Sequence, residues 1–134
     1  MRTHLEFRSD QFDAPDSPGN SINPDIKGER LASFLSAAFS AEGYSGEVIQ
    51  EDWGWMVGLG HAEFPLWLGC SSHDTPPDWL VFIEPSKPVV KKWFQKFDTL
   101  PTVEKVAAIL ENKLVKQGGA TDLNWWSDTD SGRK

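Results

Sequence analysis

Two carboxylates stand beside two indoles in Glu51-Asp52-Trp53-Gly54-Trp55, and a third, Glu84, opens the twice-proline segment Glu84-Pro85-Ser86-Lys87-Pro88. Carboxylates that converge can chelate a divalent cation or share acid and base roles, and tryptophans beside them can stack a sugar or a base. Glu51, Asp52, Trp53, Trp55, Trp67, Glu84 and Lys87 are therefore the candidate binding residues. A plainer reading is preferred for the first group: Glu51 and Asp52 mark a solvated bend while Trp53 and Trp55 fill the core. Simple up-and-down strand order also works against convergence, since it puts Glu84 at the opposite end of a sheet from Glu51 and Asp52. No catalytic residue is assigned.

His61, Glu63, Cys70, His73 and Asp74 form a second group of ligand types. Their spacing matches no metal motif, and Cys70 falls on the apolar side of its segment. A buried structural cysteine with solvated turn histidines is the expectation, so neither a metal nor a cofactor is expected. The sequence has no phosphate-cradling glycine loop, dinucleotide fingerprint or HExxH pair.

Charge narrows the partners. With 13 Lys+Arg against 20 Asp+Glu the formal net charge is −7. Nucleic acid is disfavoured as a partner, because its binders gain affinity by replacing counterions with Lys and Arg. The densest basic group, Lys91, Lys92 and Lys96, is short. A basic protein or a cation suits this surface better. One cysteine excludes a disulfide framework, no signal-like apolar run opens the chain, and no apolar run is long enough to span a membrane. A cytoplasmic protein, monomeric or weakly dimeric, is expected.

The elements that must position these residues follow from periodicity. Thr3 to Arg8 alternates as a short strand, and the Pro- and Asp-rich stretch to Asn23 reads as a loop. Asn23, Pro24 and Asp25 suit a helix start; Leu31, Phe34, Leu35, Ala38 and Phe39 make its apolar stripe, and Gly43 ends it. A β-rich block follows. Val48 and Ile49 lie in one strand. Trp53, Trp55, Val57 and Leu59 form the heavy face of the next, opposite a bare face of Gly54, Met56, Gly58 and Gly60. Phe64, Leu66, Leu68 and Cys70 line a third strand. Trp79 to Ile83, apolar on both faces, reads as a central strand covered on both sides, with Phe82 buried. Val89 to Phe97 reads as a short helical turn sending Val90, Trp93, Phe94 and Phe97 to the core. A second helix spans about Pro101 to Gln117, and Leu123 to Trp126 adds an edge strand.

Two one-sided helices need one apolar surface. The expected fold is therefore α+β: an antiparallel sheet of about five or six strands with two long helices on one face. Residues 1–126 form a single domain and 127–134 a polar tail.

Glu51-Asp52-Trp53-Gly54-Trp55 and Phe82-Ile83-Glu84-Pro85-Ser86-Lys87-Pro88, with the tryptophans between them, resemble segments of a group of small uncharacterised bacterial proteins. The resemblance covers most of the chain. It implies a bacterial cytosolic origin and brings no activity with it.

The sequence therefore points to a non-enzymatic binding or interaction protein that engages a basic protein partner, of the kind met in toxin immunity. The alternative is a small ligand-binding or hydrolase-like domain that uses strand-end carboxylates beside tryptophans. Where Trp53, Trp55 and Trp67 lie discriminates between the two: a solvent-lined cleft favours a ligand, full burial an interaction role.

Overall fold

The computed structural model describes residues 2–12, 28–60, 63–72, 78–87, 89–92 and 95–127. The expected cap at Asn23, Pro24 and Asp25, the hairpin residue His61, and the tail 128–134 lie outside the described residues.

Ten elements follow one another: β1 (His4–Arg8), α1 (Glu29–Ala41), β2 (Glu47–Glu51), β3 (Gly54–Gly58), β4 (Trp67–Ser72), β5 (Asp78–Glu84), β6 (Val89–Lys92), β7 (Gln95–Asp98), α2 (Leu100–Gln117) and β8 (Thr121–Trp126). Six strands make one sheet in the order β2-β3-β4-β5-β1-β8, and β6 and β7 form a separate ribbon. Every pairing is antiparallel. The first strand of the chain thus enters the sheet between β5 and β8, and β2 and β8 are the edges.

Both helices lie on one face of the sheet, as their stripes require: α1 meets β2 and β3, α2 meets β5, and the two touch each other. Leu31, Leu35 and Phe39 of α1 and Val103, Val106, Leu110 and Leu114 of α2 are buried against Leu5, Phe7, Trp55, Val57, Leu68, Cys70, Trp79, Val81 and Ile83. These make one hydrophobic cluster. The helix α1 begins after Gly28, whose φ of 120° no helical residue adopts, and Glu29 places a negative charge in its first turn. Beyond its last turn the Tyr44 N–H donates to the Phe39 carbonyl at 3.0 Å, and the Tyr44 ring packs edge-on against Phe39.

Two expectations are corrected. The segment from Val89 is an extended ribbon, not a helical turn. Its register sets Val90 directly opposite Phe97, and this β-branched–aromatic pair packs against the core. Trp93 and Phe94 lie outside the described residues. The strand β5 is central, but helices cover one side of it only: Trp79, Val81 and Ile83 are buried, whereas Leu80 and Phe82 face the other way and are half-buried.

Candidate functional site

Strand register decides which candidate residues meet. Glu51 pairs with Gly54 across the β2–β3 hairpin, while Glu84 pairs with Trp67, which in turn pairs with Gly58 at the far end of β3. With about 3.3 Å per residue along a strand and about 4.8 Å between strands, Glu51 and Glu84 lie roughly 20 Å apart. Glu51 and Asp52 therefore do not share a site with Glu84, and no single small ligand bridges them.

The tryptophans also part company. Trp55 is 5% exposed and belongs to the core under the helices. Its Nε1 has no hydrogen-bond acceptor among the described residues. Trp53 does not share that heavy face. It sits in the β2–β3 turn, 44% exposed, and its ring lies 5.3 Å from that of Phe82 and 6.1 Å from that of Trp67. The bare face of the sheet is therefore the face these rings occupy. At Gly69 a β-carbon would collide with the Phe82 ring, so the missing side chain is what lets the end of that ring reach across β4.

On this face, opposite α1 and α2, one in-register row crosses all six strands: Ile49, Met56, Gly69, Phe82, His4 and Trp126. His4 is stacked between Phe82 at 5.7 Å and Trp126 at 5.2 Å, with interplanar angles of 19° and 22°. Thr3 Oγ1 and His4 Nδ1 share a hydrogen bond of 2.8 Å. Trp67 meets Phe82 edge-on at 5.7 Å. The rings form a continuous strip from β8 to β4, and Ile49 extends it to the β2 edge, where it is 37% exposed. Such a strip offers flat polarizable surface to planar groups and cations.

Carboxylates frame the strip. Strand alternation puts Glu6, Glu47, Glu51, Asp78 and Glu84 on the same face, against Arg8 as the strand cation. Arg8 already pairs with Asp78 at 3.4 Å and with Asp122 at 4.0 Å. Asn124 Nδ2 donates to Glu6 at 3.1 Å. Asp52, exposed in the turn beside Trp53, adds to the acidic rim.

A cleft opens at one end of this face, where Trp67 and Glu84 are cross-strand neighbours. The Ser86 N–H donates to Glu84 Oε1 at 3.1 Å, which orients the carboxylate. Lys87 is not part of this cleft lining; it is exposed, and its carbonyl accepts from the Thr99 hydroxyl at the start of α2. Cys70 is fully buried, and burial pushes its thiol well above the ordinary range, as an inert core residue requires. Among the described residues no three His, Cys, Asp or Glu side chains are placed to hold a metal ion; His61, His73 and Asp74 lie outside them. Nor, among the described residues, is any helix long and apolar enough to cross a membrane.

Sequence reasoning missed His4, Phe82 and Trp126 as surface residues. The available signal was parity: Asp78, Leu80, Phe82 and Glu84 share one side of their strand, and two of the four are acids. Comparison with protein families, with curated proteins and with solved structures finds no match.

Proposed function

We propose that this protein is a binding protein that receives a basic protein partner on the face of its sheet opposite α1 and α2. One observation carries the reading: an in-register row crosses all six strands, is aromatic at Phe82, His4 and Trp126, and is framed by Glu6, Glu47, Glu51, Asp78 and Glu84. Aromatic anchors supply most of the affinity at protein interfaces, and complementary charge steers encounter and excludes wrong partners. Arginine and lysine side chains answer both features, since they stack on indole faces and pair with carboxylates. A net charge of −7 extends the attraction beyond the face itself.

The test is selection of binders from a displayed library of random peptides, with the Trp53→Ser protein as counter-selector. The selected peptides should be rich in Arg and Lys and should bind more weakly as salt is raised. The pair Glu47→Lys and Glu51→Lys should slow their association about tenfold without unfolding the protein, since Glu47 is exposed and Glu51 half-buried. Neutral or acidic binders, binders indifferent to these variants, or no binders would overturn the proposal.

A further inference from the structure

The cleft at the end of the face shares Trp67 and Glu84 with it and has walls of its own. It has a volume of about 410 Å³, within the size range of small-molecule sites, and lies between the segment before β4, the end of β5 and the β6–β7 ribbon. Phe64, Pro65, Pro85 and Val90 give it apolar walls, and Trp67 supplies an aromatic one. That indole packs against Phe82 and Trp53. Among the described lining residues the charged ones are Glu63, Glu84 and Lys91.

We propose that this cleft binds a small organic monocation: an amine or guanidine carried on a flat apolar body. The walls select the body. A polyol would leave its hydroxyls against Phe64, Pro65, Pro85 and Val90 without partners, and burying them unpaired is costly. The charge selects the sign. Trp67 and Glu84 are directly opposed on β4 and β5, so their β-carbons lie about 5 Å apart. A cation lying over the indole is therefore within reach of the carboxylate, and the two attractions add. Among the described lining residues, phosphates and carboxylates meet two like charges and one opposite. Lys91 sets the limit on the other side, because a second positive charge on the ligand would meet its ammonium.

The probes are 2-phenylethylamine, neutral 2-phenylethanol, anionic 3-phenylpropionate and zwitterionic phenylalanine. Each is titrated into the full chain while the indole N–H resonance of Trp67, assigned with Trp67→Phe, is followed. The amine should saturate the shift, the alcohol should bind at least about tenfold more weakly, and the propionate should not bind. Glu84→Gln keeps an oxygen to accept the Ser86 N–H and should weaken the amine about tenfold. Lys91→Gln, at an exposed position, should tighten it. Absence of saturation by the amine, propionate binding as tightly as the amine, phenylalanine binding more tightly, or weakening by Lys91→Gln would each overturn the proposal. If Glu84→Gln lowers the melting temperature, the ligand series and Lys91→Gln decide alone. The amine titration and the peptide selection are separate measurements, so either proposal can fail without the other.

Discussion

The Phe82 ring lies over Gly69 on the neighbouring strand, in the space a side chain at position 69 would fill. That contact fixes the middle of the aromatic row, because Phe82 also touches His4, Trp53 and Trp67. Gly69→Ala should therefore force the ring off the sheet and cost about 1–3 kcal/mol, the usual penalty for overpacking. Chemical denaturation measures it. A double-mutant cycle with Phe82→Leu should recover part of the loss, and a fully additive cycle would show that the ring does not rest on Gly69.

Truncating the two aromatics of β5 should separate its faces. Trp79 is buried and its Nε1 donates to the Ser9 carbonyl at 3.0 Å, so Trp79→Ala should cost the ~3–5 kcal/mol of a core aromatic. Phe82 is half-buried, and Phe82→Ala should cost roughly half of that ~3–5 kcal/mol. Equal losses at both positions would mean that something covers the outer face.

Cys70 offers a probe of global stability. Its thiol is buried and pushed up by desolvation, so an alkylating reagent reaches it only when the chain opens. Native protein at neutral pH should react several orders of magnitude more slowly than protein in denaturant. Rapid labelling of the native protein would place Cys70 at a mobile or accessible edge.

Arg2 ties the start of the chain to α2, with its backbone N–H donating to Glu104 at 2.7 Å and its side chain to the same carboxylate at 3.2 Å. Its guanidinium also lies 5.1 Å over the Trp125 ring, whose Nε1 donates to Glu111 at 2.7 Å. Partial desolvation pushes the Glu104 carboxyl up, but the hydrogen bonds from Arg2 and its charge outweigh this and hold it below the ordinary range. A carboxyl held low in the folded state adds stability above its unfolded value, about 4.3, and loses it as pH falls through the folded value. Glu104→Gln should therefore lower the melting temperature at neutral pH and converge with the unmodified protein in acid. The effect should be small and salt-sensitive, because both side chains are more than one-third exposed. A gap between the two proteins that persists or widens in acid would contradict this account.

The sequence alone determined the two helices and most of the strands, because their signals are local. Leu31, Leu35, Ala38 and Phe39, and Val103, Val106, Leu110 and Leu114, recur at the helical period, and one-sided stripes demand a shared apolar surface. Where periodicity is ambiguous, tertiary structure decided. Val90, Trp93, Phe94 and Phe97 have a helix-like spacing, yet Val90 and Phe97 meet across a ribbon, a pairing between two strands rather than along one stripe. Trp79 to Ile83 is apolar on both sides, and nothing within five residues tells a helix layer from a strip of surface rings. The candidate site was legible as residue types: Trp53, Trp67 and Glu84 are all in it or beside it. Its assembly was not. β1 inserts between β5 and β8, so His4 and Trp126, 122 positions apart in the chain, stack side by side next to Phe82. Strand order and register are set by the joint burial of the whole inner face, and that non-local condition is what gathers the aromatic row on the outer one.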